Sequence, residues 1–220
     1  MTDKRVTLTF DNGPDPDVTP RVLDILLAKR APSHFFVLGK HVATDWGRRC
    51  VERARDEGHM VGNHSYTHEI PLGDDAGPDA VAREILATEQ LLAPLGLGER
   101  RFRPFGGGGT IGPHLFSRAA VEHLEAARYT CVIWNALPRD WVDPGWMQTA
   151  LAQCEALDHA VVVLHDIANA SLASLPAFVD EIRARSWEIT QDLPDDCVPM
   201  KAGRSTGAIA SMTAPIQTWI

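Results

Sequence analysis

Short runs rich in β-branched and aromatic residues alternate along the chain with segments of helical hydrophobic spacing. Strands are predicted at Arg5–Phe10, His34–Leu38, Met60–Asn63, Arg101–Phe105, Thr130–Asn135, Ala160–His165 and Trp187–Thr190. Helices are predicted between them, at Thr19–Lys29, Trp46–Glu57, Pro78–Leu95, Ser117–Ala127, Trp146–Ala156 and Ser174–Arg185. Because strands that alternate with helices over short joins run parallel, the pattern predicts an α/β fold, either an open doubly wound sheet or a small barrel.

The first helix and the C-terminal segment differ in how well the sequence defines them. The first helix is predicted to start with Thr19 as its N-cap and Pro20 at its first helical position. The segment after Met200 is small and polar, and we expect it to be poorly ordered unless Trp219 and Ile220 dock on the fold. We therefore predict a single domain over residues 1–200, followed by a tail over residues 201–220.

Length and charge limit the classes of partner. The chain has 220 residues, enough for one domain with a full core, and its formal net charge is −8. This acidic balance argues against non-specific nucleic-acid binding, which needs a basic surface. No apolar run approaches the roughly 18 residues of a membrane helix, so no membrane span is predicted. The pattern predicts no particular oligomeric state.

The N-terminus and the cysteines bear on the cellular compartment. The opening "MTDKRVTLTF" is polar and leads directly into a strand, without the apolar segment of a signal peptide. The four cysteines form no C-x-x-C pair, and Cys131 lies in an apolar run, as expected of a buried thiol. We therefore expect a cytoplasmic protein with reduced thiols, or a secreted one if a leader has been removed.

Polar residues follow the ends of several predicted strands. In a parallel α/β fold the carboxyl ends of the strands meet at one edge, which is where active sites lie. The chemistry-bearing residues at these ends are Asp11, His64, His68, Arg103, Asp140, Trp141, His165 and Asp166. A carboxylate, a histidine pair, an arginine and a further histidine at one edge indicate a catalytic site more strongly than any of them alone.

The stretch "GNHSYTH" places His64 and His68 four residues apart. On a helical turn both imidazoles would face one way and could share a cation, although such a pair alone is more often structural or incidental. The Glu of an H-E-x-x-H motif is missing, so a thermolysin-type protease is not indicated. The base must come from elsewhere, and Asp11 is the candidate.

The stretch "VVVLHD" places His165 at the end of an apolar strand. One interpretation is a hydrogen-bonded core histidine; the other is a general acid that works near neutral pH. A nearby carboxylate such as Asp140 would hold its tautomer and raise its pKa. No G-x-S-x-G motif and no nucleotide fingerprint is present, so a serine hydrolase of the usual α/β type and a nucleotide enzyme are disfavoured.

Taken in order, these stretches resemble the motifs of the polysaccharide deacetylases, the carbohydrate esterase family that includes chitooligosaccharide and peptidoglycan deacetylases. "TFDNGP" is similar to the first family motif, "NHSYTH" to the second and "RFRPFGGGG" to the third; "RDW" and "LHD" resemble the fourth and fifth. The resemblance spans about Val6 to Asp166. It implies a distorted (β/α)7 barrel and a hydrolase that removes an acetyl group from an N-acetylated amino sugar or oligosaccharide.

The resemblance also implies roles for particular residues. Asp11 would be the general base that activates a metal-bound water, oriented and kept ionised by Arg103. His165 would protonate the leaving amine, tuned by Asp140. A divalent metal, commonly zinc, would be held by His64, His68 and the residue at position 12. The residues expected to contact the substrate are Phe105, Gly106, Gly107, Trp141 and Leu164, with Trp141 and Leu164 lining the acetate pocket. A backbone N–H of Gly106–Gly109 would face the developing oxyanion.

Two positions depart from the family pattern. The family places a metal-ligand aspartate where this chain has Asn12. An amide oxygen is a neutral and weaker donor, because zinc sites favour Cys, His and carboxylate. The second departure is the run Gly106–Gly109, whose missing side chains either admit a bulkier substrate or form a turn, and we favour the turn.

Asn12 leaves four interpretations open. The first is an active enzyme with a weaker or different metal. The second is a metal-independent hydrolase of another small or cyclic amide, as metal-poor allantoinase-like relatives suggest. The third is a catalytically impaired member that binds carbohydrate. The fourth is that Asn12 is engineered or is a processing state, since Asn-Gly is prone to deamidation.

Overall fold

The computed structural model describes residues 4–75, 77–170 and 172–215. Its strands form one nine-stranded sheet in the described residues. The strands are β1 (Arg5–Asp11), β2 (His34–Val37), β3 (Met60–Asn63), β4 (Arg101–Phe102), β5 (Thr130–Cys131), β6 (His159–His165), β7 (Glu188–Ile189), β8 (Met200–Lys201) and β9 (Arg204–Ser205). Their order is β6-β1-β2-β3-β4-β5-β8-β9, with β7 paired to β1.

The parallel strands curl into a distorted barrel. All pairings among β1–β7 are parallel, whereas β8 pairs antiparallel with β5 and with β9. Beyond β5, Ala136 forms a parallel bridge to Val162 on β6. Its N–H donates to the Val161 oxygen at 3.2 Å, and its oxygen accepts from the Val163 N–H at 3.0 Å. This bridge brings the two ends of the parallel run together, and the predicted α/β barrel is confirmed.

Helices connect the strands. They are α1 (Thr19–Ala28), α2 (Gly39–Val42), α3 (Asp45–Asp56), α4 (Ala87–Leu92), α5 (Arg118–Ala126), α6 (Trp146–Ala156) and α7 (Leu175–Ala184). The predicted helices are confirmed, except that α2 is not predicted and that Pro78–Leu95 is not one regular helix. Within that range a π-helical turn over Ala82–Leu86 precedes α4, and a 3-10 turn over Ala93–Leu95 follows it.

The predicted N-cap of α1 is wrong. Val18 is the N-cap residue, and no side chain caps this helix. The Thr19 hydroxyl instead accepts from the Asp15 N–H at 2.7 Å and donates to Asp166 at 2.5 Å. The Thr19 oxygen thus accepts from an N–H that precedes the helix and not from an N–H of the first turn, as a cap would.

Strand β4 is shorter than predicted. It ends at Phe102, although the next N–H, on Arg103, still donates to the Asn63 oxygen at 2.9 Å. Pro104 then has no N–H to continue the ladder. The chain leaves the sheet there, which frees the third predicted motif to border the site.

Alternation along the strands separates two layers of the core. On β1, Val6, Leu8 and Phe10 pack outward in a cluster with the helices. Thr7, Thr9 and Asp11 occupy the alternate positions, which point into the barrel. The strand therefore delivers a line of polar groups to the barrel interior, with the carboxylate at its C-terminal end.

The C-terminal segment is part of the packed structure as far as it is described. Ile209 and Met212, in a 3-10 turn over Gly207–Met212, belong to the second core cluster. Trp219 and Ile220 lie outside the described residues. Within the described ranges, no helix is both long enough and apolar enough to cross a bilayer.

Candidate active site

Arg103 fixes the carboxylate at the end of β1. The arginine is 0% exposed, and its Nη1 donates to Thr9 Oγ1 at 2.6 Å and to Asp11 Oδ1 at 2.8 Å. Its Cζ lies 4.1 Å from the centroid of the Phe36 ring. Because a buried charge is tolerated only when it is paired and hydrogen-bonded, this contact holds Asp11 in one orientation. The predicted contact between Arg103 and Asp11 is present.

His64 and His68 lie beside that carboxylate. His64 Nδ1 is 2.8 Å from the backbone oxygen of Arg103. A carbonyl only accepts, so Nδ1 carries the proton and the Nε2 lone pair is left free, 3.8 Å from Asp11 Oδ2. The His68 ring centroid lies 5.0 Å from that of His64 and 3.8 Å from that of Phe105. Burial lowers the pKa of both histidines, that of His68 to about 2, so both are neutral imidazoles at pH 7.

Asn12 lines the cleft with these imidazoles and has an unsatisfied side-chain oxygen. Its backbone has a φ of 74°, and its side chain lines the same cleft as His64 and His68. Its Oδ1 is buried and has no hydrogen-bond partner. A buried acceptor without a partner costs free energy, so an external donor or a cation would satisfy it.

The side chains predicted to bind a divalent cation in this cleft are all uncharged. Across the described ranges no group of three or more His, Cys, Asp or Glu side chains could hold a metal ion. The two imidazoles therefore need a different third donor, and the unpaired Asn12 oxygen is available. Imidazole nitrogen is a good ligand for zinc and other first-row metals, and an amide oxygen can serve as a further ligand to the same ion. The three residues of the predicted trio, His64, His68 and Asn12, all line this cleft.

His165, the register partner of Asp11 on the neighbouring strand β6, forms the next wall of the cleft with Asp140. Its Nδ1 lies 2.8 Å from Asp140 Oδ1, and its backbone N–H donates to Asp140 Oδ2 at 2.9 Å. Burial by itself lowers the pKa of His165, but the hydrogen bond and charge of Asp140, together with Asp11 and Asp166, raise it above its ordinary value. The Trp141 and His165 rings pack edge to face, with their centroids 4.7 Å apart. Since Nδ1 faces Asp140, Nε2 is the atom free to serve a ligand.

The cleft between these walls has a volume of about 190 Å³ and contains most of the predicted contact residues. Phe105, Gly106, Gly107 and Trp141 line it, as predicted. Further lining residues, not predicted from the sequence, are Pro104, Trp134, Leu137, Val163 and Ile167. The alternation of β6 could have identified Val163, because it lies two residues before His165 on the same strand face.

The predicted place of Leu164 in the acetate pocket is wrong. Its side chain lies in the outer core cluster with Phe10, and Leu164 is not among the residues that line this cleft. Successive residues of a strand point to opposite faces, so Leu164 follows Val162 outward while Val163 points inward. The motif identifies the strand end but not which neighbour of His165 faces the ligand.

The glycine run forms a tight turn that packs on two cleft residues. The Gly109 N–H donates to the Gly106 oxygen at 3.2 Å, and the Gly109 oxygen accepts from Trp134 Nε1 at 3.1 Å. A Cβ at position 106 would lie 2.6 Å from the Trp134 ring, and one at position 109 would collide with Leu137. The turn favoured from the sequence is confirmed, and close packing explains why these two positions are glycine.

Asp166 connects the two walls and has no predicted role. Its Oδ1 accepts from the Gly13 N–H at 3.1 Å, and its Oδ2 accepts from the Thr19 hydroxyl at 2.5 Å. Burial raises the pKa of this carboxyl to about 7. The residue that follows His165 therefore holds the turn that follows Asn12, which ties the end of β6 to the end of β1.

A positioned carboxylate and a positioned imidazole face one cleft, with two neutral histidines beside the carboxylate. This arrangement on a curled α/β barrel defines a hydrolase site of the acid–base type. The family model for polysaccharide deacetylase matches residues 1–129, and the chain belongs to that family. The suspected family is confirmed.

Individual relatives agree with this assignment. The chitooligosaccharide deacetylase of Bradyrhizobium sp. (strain ANU 289) is 33% identical over 167 residues, covering 74% of this chain and 71% of that protein. The peptidoglycan-N-acetylglucosamine deacetylase of Bacillus cereus is 29% identical over 192 residues, 84% of either chain. The family 4 carbohydrate esterase from Streptomyces lividans, solved in complex with acetate, has a TM-score of 0.70 at 27% identity, covering 90% of this chain and 97% of that chain. The predicted enzyme class, a hydrolase of carbon–nitrogen bonds other than peptide bonds, is confirmed.

Proposed function

We propose that the protein removes the acetyl group from an N-acetylated amino sugar or an oligosaccharide that contains one. The observation that carries this proposal is the shared cleft, which Asp11 enters from β1 and His165 enters from β6. The names of the Bradyrhizobium and Bacillus cereus relatives, which are deacetylases of chitooligosaccharide and of peptidoglycan N-acetylglucosamine, support this substrate class.

Asp11 is proposed as the general base. Arg103 occupies Oδ1, so Oδ2 remains to accept a proton from the attacking water. The arginine also stabilises the carboxylate charge in a buried site, which keeps the base ready without a change of orientation. Positioned proton transfer of this kind contributes about 10²–10⁴-fold to a rate.

His165 is proposed as the general acid. Asp140 binds its Nδ1, so the proton for the leaving amine comes from Nε2. The raised pKa keeps a larger fraction of the imidazole protonated near neutral pH than an unperturbed histidine would have. Amide hydrolysis needs this proton, because the amine leaves poorly as an anion.

His64, His68 and Asn12 would hold a divalent cation, zinc being the first candidate. Such an ion, when bound, polarises the amide carbonyl and lowers the pKa of water. The ligands are neutral, so binding is expected to be weaker than with a carboxylate at position 12. Trp141 and Phe105 would enclose the acyl group, and a backbone N–H of the glycine turn would donate to the oxyanion, a contact worth about 2.7–4 kcal/mol.

Acetate release from chitooligosaccharide tests the proposal. The full chain, incubated with Zn²⁺, should release acetate, and Asp11→Ala should lower kcat by about 10²–10⁴-fold. Asp17→Ala is the matched control, because Asp17 is an exposed carboxylate beyond the same turn. Sugar binding without turnover, unaffected by His165→Ala, would instead identify a carbohydrate-binding member of the family.

The neutral ligand set favours one second candidate, a metal-independent hydrolase of a small or cyclic amide. The observation behind it is the absence, within the described residues, of a group of three His, Cys, Asp or Glu ligands. Dipicolinate separates the two candidates. Activity on a panel of small amides that survives the chelator supports the second, and loss of sugar deacetylation that Zn²⁺ restores supports the first.

A further inference from the structure

The loop that joins His64 to His68 has an unfavourable backbone conformation. Ser65 has a φ of 71° and His68 a φ of 60°. Left-handed backbone at residues other than glycine is unfavourable and persists only when surrounding contacts hold it. The position of His68 relative to His64 therefore depends on what the loop is bound to.

Two side chains bind the N–H groups of this loop. Asn63 Oδ1 accepts from the Ser65 N–H at 2.9 Å. Glu84 Oε2 accepts from the N–H groups of Tyr66 and Thr67, at 3.1 and 2.9 Å. Glu84 Oε1 accepts from the Thr67 hydroxyl at 2.8 Å. One carboxylate thus holds three donors of the histidine loop.

The carbonyl groups of the loop are bound from the other side, by the start of α2. The Gly39 N–H donates to the Ser65 oxygen at 2.9 Å, and the Lys40 N–H donates to the Tyr66 oxygen at 3.2 Å. Lys40 Nζ donates to the Thr67 oxygen at 2.8 Å. Every backbone polar group from Ser65 to Thr67 has a partner, so the loop is specified by its surroundings and not by its own sequence.

Glu84 reaches the loop from the π-helical turn. That turn also presents the Ile85 oxygen, which accepts from Asn63 Nδ2 at 3.0 Å. The Glu84 side chain is 4% exposed, and it forms an ion pair with Arg83 Nε at 3.1 Å, from an arginine that is 44% exposed. Burying a carboxylate is costly, and π-helical turns occur frequently at functional sites. This cost is offset here by bonds to the loop that carries His68.

We propose that Glu84 is a positioning residue for the cation site, which fixes His68 against His64 through the backbone of Tyr66 and Thr67. The proposal rests on the proposed function only for the identity of the cation. Residues that orient ligands from outside typically change metal affinity by about 10–100-fold when they are replaced. Glu84 itself contacts no substrate in this arrangement.

The test measures Zn²⁺ affinity by titration calorimetry on the chelator-stripped full chain, together with amide hydrogen exchange over residues 65–68. Glu84→Gln keeps the shape but turns an NH₂ group toward the loop donors. We expect it to weaken Zn²⁺ binding about 10–100-fold and to speed exchange of these amides, with the apo melting temperature changed by only a few degrees. Glu89→Gln is the control, because Glu89 lies on α4 but pairs with Arg100 and His123.

Each outcome decides the proposal. Unchanged Zn²⁺ affinity and unchanged loop exchange in Glu84→Gln would overturn it, as would an equal loss of affinity in Glu89→Gln. If the parent binds no Zn²⁺, the proposal that this site binds zinc is rejected. The role of Glu84 is then still decided by the exchange data and by Zn²⁺ titration of Glu84→Gln in an Asn12→Asp background. If Glu84→Gln does not fold, Thr67→Val removes one of the three bonds, and a parental affinity and exchange rate there would reject the proposal.

Discussion

The two walls of the cleft solve the problem of buried polar groups differently. On the β6 wall, His165 is bound by the Asp140 carboxylate through both its ring and its N–H. On the β1 wall, Arg103 binds Asp11, but the neighbouring Asn12 keeps a buried oxygen without a partner. Charged groups cannot be buried unpaired, whereas a neutral amide can be, at a smaller cost. Asp11 and His165 are therefore each bound by a charged side chain of the protein, so the β6 wall is complete. The β1 wall is incomplete, because the Asn12 oxygen, which would bind the cation, has no partner.

The largest effect is expected from removing the partner of the buried base. Arg103→Met should lower the free energy of unfolding by about 3–5 kcal/mol, because it leaves the Asp11 carboxylate buried without its cation. Urea denaturation measures this change. Arg118→Met serves as the control, since Arg118 is exposed and forms only a surface pair with Glu122. A loss below about 1 kcal/mol would mean that the β1 wall does not depend on this pair.

Asp166, which joins the walls, should make stability depend on pH. Its carboxyl has a pKa of about 7 in the folded protein against an ordinary 3.8. The folded state therefore binds more protons than the unfolded state between those values. The free energy of unfolding should fall as pH rises from about 4 to 7, by about 1.4 kcal/mol per unit of pKa difference at most.

Asp166→Asn isolates this contribution. The variant has no titrating group at position 166, so the difference in unfolding free energy between it and the parent should change in favour of the variant between pH 4 and 7. Chemical denaturation across that range measures it. A difference that stays flat with pH would show that Asp166 is ionised in the folded protein.

Asp140→Asn tests the complete wall. Without that carboxylate, burial dominates and the pKa of His165 should fall below its ordinary value. A general acid works while protonated, so activity is present below this pKa and is lost as pH rises through it. The alkaline limb of kcat/KM should move to lower pH, with a loss of about 10²-fold above neutrality. Asp143→Asn is the control, and an unmoved limb would exclude His165 as the acid.

Asn12→Asp tests the incomplete wall and should have the smallest effect of the four. A carboxylate adds a charged ligand beside His64 and His68, so Zn²⁺ affinity should rise. We expect a rise of at least roughly tenfold, the smallest change typical of residues that only orient metal ligands. Titration calorimetry measures it. Equal affinity in the two proteins would place the cation, if one binds, away from position 12.

The local hydrophobic pattern was sufficient to predict most helices and strands and many of the residues in the candidate site. The alternation in "VTLTFD" decides that Asp11 shares a face with Thr9 and Thr7, and strand-end placement brings His64, His68, Arg103 and His165 to one edge. These predictions depend on residue spacing within single strands. The same periodicity, applied to β6, would have assigned Val163 and not Leu164 to the cleft.

Contacts between distant segments were decided only by the tertiary structure. Glu84 binds a loop 17 and 18 positions earlier. Asp166, after β6, binds Gly13 and Thr19, which follow the neighbouring strand β1. The Thr19 oxygen, expected to cap α1, instead accepts from the Asp15 N–H. Trp134 is a buried member of the second core cluster and also lines the cleft, where its Nε1 donates to the oxygen of Gly109 in the glycine turn. The sequence determines which groups each strand and helix carries. Which of them meet depends on packing between elements, and local spacing holds no information about that packing.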